Sequence, residues 1–188
     1  MSTITNKIIE TFSKRGQQKY GVEPVSQLQH GLQAATMALD ETDDSQLVTA
    51  ALLHDIGHIM FEDDLPKSTE KNLNDDHEKK AYQWLLGHFG PRVADPVLLH
   101  VEAKRYLCTQ DEAYMDTLSP TSLKSFHDQG GKMSKTEQEE FESQTFYVEA
   151  LMLRKWDDKA KNPNMETHEL HHFIPHIEHS FSMFRGED

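Results

Sequence analysis

Apolar residues recur along this chain three and four positions apart. Leu28, Leu32, Ala35 and Leu39 fall on one helical face, and Leu47, Ala51, His54 and His58 continue the pattern in the next segment. Ala81, Trp84, Leu85 and His88 form a third stripe, Val93, Val97, His100 and Lys104 a fourth, and Phe146, Ala150, Leu153 and Asp157 a fifth. Each matches the i, i+3, i+4, i+7 template of a helix that buries one side. Strict apolar–polar alternation rich in β-branched residues is missing, so no strand is predicted. The fold class expected is all-α.

Helix punctuation agrees with the stripes. Ser119-Pro120 sets a capping hydroxyl before a proline suited to a first turn. Ser134 and Glu137 have capping-box spacing, and Gly130-Gly131 marks a turn. Loops are predicted near 16–26, 60–75 and 129–133, with a C-terminal helix over about 165–184. Repeats, low-complexity blocks and linkers are absent, which predicts one domain over 1–188 with its core at 18–160.

Composition narrows the function. A chain of 188 residues can bury a sizeable core without staples. Its formal net charge of −13 repels nucleic acid and anionic membranes. The single cysteine, Cys108, cannot form a disulfide within the chain and is expected to be an inert core thiol. The opening stretch MSTITNKIIETFSKRG lacks a signal-peptide apolar run, and no run approaches the ~20 apolar residues of a membrane span. A cytoplasmic protein acting on a small molecule is expected, without nucleic-acid or membrane partners. Oligomeric state stays open, a monomer being the working expectation.

The apolar faces carry residues that a plain core would exclude. His54-Asp55 sits inside VTAALLHDIGH, and a carboxylate there must be paired or bind metal, because a lone buried charge is very costly. His30 lies on the preceding helix, His77 is expected to open a later one, His100 lies on the next, and Asp157 on the long helix after that. One such histidine is ordinarily a packed core residue. Six imidazole and carboxylate groups at core-facing positions of separate helices suggest ligands converging in a bundle. Without a thiolate among them a closed cysteine-type zinc site is disfavoured, and Fe, Mn, Zn and Ni all remain open. Six ligands exceed one tetrahedral ion and suit two metals, with Asp55 the natural bridge.

The order H…HD…H…H…D, with His54-Asp55-Ile56-Gly57 as its HDIG variant, resembles the HD-domain superfamily in its dinuclear form. Most of that superfamily are phosphohydrolases. A narrower resemblance, covering about 18–160, is to the phosphonate-degrading HD-domain diiron oxygenases. It rests on Tyr20-Gly-Val-Glu23-Pro-Val-Ser-Gln-Leu-Gln-His30, His100-Val-Glu-Ala-Lys104-Arg-Tyr-Leu, the Leu118-Ser-Pro-Thr-Ser122 to Gln129-Gly-Gly stretch, and Leu153-Arg154-Lys-Trp-Asp157-Asp. This resemblance implies that His30, His54, Asp55, His77, His100 and Asp157 hold a mixed-valence Fe(II)/Fe(III) pair. It implies that Tyr20 occupies an iron position until substrate displaces it and opens the pair to O2. The implied reaction is oxidative cleavage of the carbon–phosphorus bond of a 1-hydroxy-2-aminoethylphosphonate, primary or N-trimethylated, to phosphate plus glycine or glycine betaine.

Charge supports that reading. A phosphonate dianion entering a protein of net charge −13 needs local cations. Lys104 lies one turn after His100, Arg154 three residues before Asp157, and His58 one turn after His54, so each shares a face with a ligand. Arg suits bidentate recognition of phosphonate oxygens and Lys supplies a point charge. Ser122 and Ser125 add neutral donors, although helix capping would explain them as well. Surface salt bridging is the plain alternative for Lys104 and Arg154. Glu23 is the expected contact for the substrate ammonium, its alternative an ordinary loop carboxylate. The rival function is metal-dependent hydrolysis of a nucleotide phosphate, which needs neither Tyr20 nor O2. The C-terminal histidines, His168, His171, His172, His176 and His179, are expected on a helix that packs or is solvated rather than at a second metal site.

Overall fold

A computed structural model of the chain describes residues 1–61 and 70–186, with residues 70–78 described by their helical backbone alone. Eleven helices run through the described residues: α1 (Thr3–Arg15), α2 (Gln27–Glu41), α3 (Ser45–Leu53), α4 (Gly57–Met60), α5 (Glu70–Phe89), α6 (Pro91–Gln110), α7 (Glu112–Met115), α8 (Pro120–Asp128), α9 (Lys135–Glu142), α10 (Tyr147–Lys159) and α11 (Leu170–Arg185). Among them lies a single isolated antiparallel bridge, Lys19 to Ser26, and no strand. The chain is all-α and compact.

The predicted stripes become the core. α6 packs on α10, α5 and α3, and α2 packs on α3 and α10. Leu32, Ala35, Ala51, Leu85, Val93, Val97, Leu153 and Trp156 meet between these helices in one buried cluster. Burial of such side chains stabilises by about 1.5–3 kcal/mol each. A smaller cluster of Leu99, Ala103, Met133, Phe141 and Ala150 joins α6 to α9 and α10. Cys108 is buried, and burial pushes its thiol up, as an inert core residue requires.

Caps define the helix starts as the sequence suggests. Ser119 Oγ accepts from Ser122 N, and Ser134 and Glu137 close a reciprocal capping box. Ser26 and Gln29 close a second box at the start of α2, the helix that carries His30. Gly130 and Gly131, at φ of 105° and 69°, form the turn after α8.

Three expectations need correction. The stripe from Leu47 to His58 is two helices, not one: α3 ends at Leu53, and tight bonds from Ile56 N to Leu53 O and His58 N to Asp55 O turn the chain before α4. There His54 becomes the C-cap of α3, its ring taking the Ala51 carbonyl. α5 begins at Glu70, inside the segment expected to be loop; 62–69 lies outside the described residues. His77 therefore sits within α5 rather than at its start, and its side chain lies outside the described residues.

The C-terminal helix packs, but it begins at Leu170 rather than near 165, so His168 precedes it. α11 buries Phe173, Ile177 and Ser180 against α3 and α5. His176 Nδ1 meets Ser45 Oγ at 2.9 Å, and the rings of His168 and His172 stack 4.0 Å apart. Among the described residues no helix is long and apolar enough to cross a membrane.

Candidate metal centre and its cavity

Four elements supply five of the six predicted ligands; the side chain of the sixth, His77, lies outside the described residues. α2 supplies His30, the turn after α3 supplies His54 and Asp55, α6 supplies His100, and α10 supplies Asp157. Each imidazole is anchored by a backbone carbonyl: His30 Nδ1 lies 2.8 Å from Ala160 O, His54 Nδ1 2.8 Å from Ala51 O, and His100 Nδ1 2.5 Å from Val97 O. A carbonyl only accepts, so all three Nδ1 atoms carry the proton and a neutral ring presents a bare Nε2 lone pair. His30 Nε2 and His54 Nε2 face each other at 2.9 Å. Two lone pairs at that distance repel, so a proton or a metal ion must stand with them.

Two carboxylates complete the cluster. Asp157 Oδ1 lies 3.3 Å from His30 Nε2 and 3.8 Å from His54 Nε2, is buried, and has no hydrogen-bond partner. Asp55 Oδ2 lies 3.6 Å from both Nε2 atoms. Single donor atoms of His30, His54 and Asp55 fall within 4.8 Å of one another. The field there favours positive charge. Burial pushes the His54 imidazole down, yet Asp55 and Asp157 outweigh it and bring it to about 9. Burial opposes ionisation of both carboxylates as well. His54 and His58 nonetheless hold Asp55 low, and Arg154 and Lys161 hold Asp157 well below the usual carboxylate range. His100, where burial dominates, falls to about 4 and is a neutral donor. Imidazole lone pairs, ionised carboxylates and an orphaned buried oxygen fit a divalent or trivalent metal.

Tyr20 closes the cluster from above. Its ring stacks on His30 with centroids 3.8 Å apart and planes at 14°, and its hydroxyl donates to Asp55 Oδ2 at 2.7 Å. Burial, then Asp55 and Asp157, push the phenol well above its ordinary value. Tyr20 stands on a hairpin-like loop between α1 and α2, tied by Tyr20 N to Val25 O, Gln27 N to Gln18 O and Glu23 N to Tyr20 O. Gly21 takes φ of 55°, open to glycine at little cost, so the loop turns directly after Tyr20 and folds Glu23 back.

A cavity of about 330 Å³ opens beside the cluster. Tyr20, Glu23, Asp55, His58, His100, Lys104, Ser122, Ser125, Arg154 and Asp157 all line it, so every described site residue except the deeper His30 and His54 reaches this space. Lys104 is 3% exposed and donates to Ser125 Oγ at 2.8 Å; burial, then the Arg154 charge, lower it to about 8. Arg154 is 4% exposed. Neither cation lies at the surface, although Arg154 is ion-paired with Asp157 and Asp158. Glu23 Oε1 accepts from Ser119 Oγ at 2.7 Å, which ties the loop to the start of α8.

The arrangement of Arg154 departs from expectation. Its Nε donates to Asp158 Oδ2 at 2.9 Å, its Nη2 pairs with Asp158 Oδ1, and its Nη1 lies 2.8 Å from Asp157 Oδ2. The fork that sequence reasoning offered to a ligand is taken by Asp158. Sequence reasoning also missed Lys161, Gln129, Gln27 and Thr121, which line the cavity. Lys161 alone carried a signal, four residues beyond Asp157, but it follows the end of α10 and helical spacing does not reach it.

Known proteins resemble this chain over most of its length. The HD domain family matches residues 27–143. A hydroxymethylphosphonate dioxygenase of Gimesia maris is 38% identical over 91% of this chain and 85% of its own. A [1-hydroxy-2-(trimethylamino)ethyl]phosphonate dioxygenase (glycine-betaine-forming) of Leisingera caerulea is 35% identical over 93% of this chain and 89% of its own. An uncharacterised protein of Acanthamoeba polyphaga mimivirus is 34% identical over 83% and 72%. The bare imidazole nitrogens, the carboxylates facing them and the cation-lined space beside them thus lie in a chain that belongs to the HD-domain family and, within it, to the phosphonate oxygenases.

Proposed function

We propose that the protein cleaves the carbon–phosphorus bond of a 1-hydroxy-2-aminoethylphosphonate with O2, giving phosphate and glycine, or glycine betaine when the amine is trimethylated. One O2 takes the hydroxyl-bearing carbon to a carboxylate while phosphorus leaves as phosphate and one proton is released. In this reading the whole chain works as one HD unit in the cytoplasm. His30, His54, Asp55, His100 and Asp157, joined by His77, would hold two iron ions. When bound, such a mixed-valence pair supplies the site where O2 is activated.

The observation that carries the proposal is the polarity of the cavity. Lys104, Lys161, Arg154 and the hydroxyls of Ser122 and Ser125 line the cavity together with one carboxylate, Glu23, which lies on the loop that folds over the site and is tied to Ser119 beside Ser122. A zwitterion with a phosphonate at one end and an ammonium at the other matches that pattern. A dianion without the cation would meet Glu23 as a like charge. Among the described lining residues Tyr20 is the one aromatic ring besides imidazoles, which favours a primary ammonium over a quaternary one, for which several rings form the usual cage.

The protein's own groups do the positioning. Lys104 and the serine hydroxyls hold the phosphonate. Glu23 holds the ammonium. His58, half-buried at the cavity wall, faces Asp55 Oδ1 at 3.8 Å and is placed to hold the substrate hydroxyl. The Tyr20 hydroxyl gives up Asp55 as substrate enters, and its ring then shields the site from water.

The test is oxygen uptake and phosphate release by iron-loaded enzyme with three substrates: hydroxymethylphosphonate, 1-hydroxy-2-aminoethylphosphonate and its trimethylated form. The amino compound should give the highest kcat/KM, with equal amounts of O2 consumed and phosphate released. Phosphate release without O2, or nucleotide hydrolysis with no oxygen uptake, would overturn the oxygenase reading. A preference for hydroxymethylphosphonate would overturn the role of Glu23.

A further inference from the structure

The geometry points to Lys161 as a substrate-binding cation of the cavity, with Asp158 and Tyr114 as the residues that position it and Arg154 held back as a structural charge. This inference rests on the anionic-substrate reading above. The expected division of labour gave the anion to Lys104 and Arg154. Arg154 is poorly placed for that task. Three of its donor positions are committed to Asp157 and Asp158, and Nη2 reaches Ser122 Oγ only at 3.5 Å. A guanidinium held between two buried carboxylates keeps Asp157 ionised and oriented, but has little left for a mobile ligand.

Lys161 is bound differently. Its Nζ donates to Ser122 Oγ at 3.0 Å, and its carboxylate neighbours stand farther off, Asp158 Oδ1 at 3.5 Å and Asp157 Oδ1 at 3.7 Å. An ammonium has three donors that turn toward whatever anion arrives. Ser122 and Lys161 both line the cavity, and Ser125, three residues along α8 from Ser122, meets Lys104. Two lysine–serine pairs thus stand side by side along one helix at the cavity.

The backbone beneath Lys161 is held on both sides although it lies outside any helix. Ala160 O takes the Nδ1 proton of His30 at 2.8 Å. Asn162 is gripped by Gln33 twice, its carbonyl accepting from Nε2 at 2.8 Å and its N–H donating to Oε1 at 3.1 Å. The residue between is therefore fixed relative to α2 and to a predicted metal ligand. Asp158 lies behind the cavity wall rather than on it and joins the two cations, while Tyr114 Oη on the short helix α7 donates to Asp158 Oδ2 at 2.5 Å. Tyr114 fixes Asp158, and Asp158 fixes Arg154 against Asp157 and sets the reach of Lys161.

The experiment compares iron-loaded wild type, Lys161→Met, Lys161→Arg and Tyr114→Phe in two readouts: steady-state turnover of the hydroxyphosphonate, and binding of inorganic phosphate by calorimetry. Lys161→Met should raise KM about 10–100-fold, as loss of one charge-assisted bond to a dianion predicts, with kcat changed less than about threefold and iron content unchanged. Lys161→Arg should restore part of the KM. Tyr114→Phe should raise KM in the same direction by about 3–10-fold at unchanged iron content. Phosphate affinity should fall in step. If wild type turns over the substrate and Lys161→Met keeps KM and phosphate affinity within about twofold, the assignment is wrong. If wild type binds phosphate but oxidises no phosphonate, the proposed reaction fails, and the phosphate affinity of Lys161→Met alone decides whether Lys161 belongs to the anion site. A wild type that binds neither overturns both.

Discussion

The phenol of Tyr20 reaches over the flat face of His30 to donate a hydrogen bond of 2.7 Å to Asp55 Oδ2. A loop residue is thereby latched to a carboxylate of the candidate metal cluster. Tyr20→Phe removes the latch while leaving every histidine in place. Iron content should stay at the wild-type level, and the optical and EPR spectra of the resting iron pair should change. An unchanged spectrum would remove Tyr20 from the metal's surroundings.

Asp157 Oδ1 is buried without a hydrogen-bond partner and faces two imidazole nitrogens. A metal ion shared with those nitrogens would satisfy it. Asp157→Ala and His54→Ala should each lose most bound iron, read by elemental analysis of protein from iron-replete cells. Full retention of iron in either variant would refute the ligand assignment. Asp157→Asn, which keeps the shape, separates loss of ligand charge from loss of packing around Arg154.

Lys104 is nearly buried, and burial together with the Arg154 charge lowers it from an ordinary 10.5 to about 8. Between pH 8 and 10.5 the unfolded chain still holds a proton that the native chain has released, so native stability gains from Lys104 as pH rises through that window. Below pH 8 the native state carries the whole penalty, on the order of 3 kcal/mol. Lys104→Met should therefore raise the stability of ligand-free protein near pH 7, measured by urea unfolding, and narrow its advantage toward pH 10. The same change should lower kcat/KM, and wild-type kcat/KM should fall above pH 8 as the lysine loses its charge. A variant that is both less stable and fully active would contradict this account.

Gly31 follows His30 on α2 at the point where α2 crosses α3. A Cβ there would stand 2.8 Å from the Leu52 carbonyl oxygen, against backbone that cannot rotate away. Gly31→Ala should cost about 1–3 kcal/mol by overpacking and should lower iron content, because the displacement separates His30 from His54. Wild-type Tm and iron content would show that the two helices yield there at no cost.

Sequence alone determined the helices and most of the donor set. The stripes that place Val93, Val97, His100 and Lys104 on one face of α6 depend on local periodicity, and so do the caps at Ser119 and Ser134. His30, His54, Asp55, His100 and Asp157 were legible because charge on an apolar face demands a partner, whatever that partner is. Tertiary structure decided how those groups are used. The break at His54 turns Asp55 toward Tyr20 and His30, a result of tight hydrogen bonding that helical spacing does not describe. Arg154 is drawn away from the place expected of it because Asp158, braced by Tyr114 from 44 residues away, takes the guanidinium fork, while Lys161, to which no helical spacing pointed, lines the cavity. Hydrophobic pattern records which face of a helix is buried; which polar atoms meet across the resulting cavity depends on distances between segments remote in sequence, and those exist only once the helices have packed.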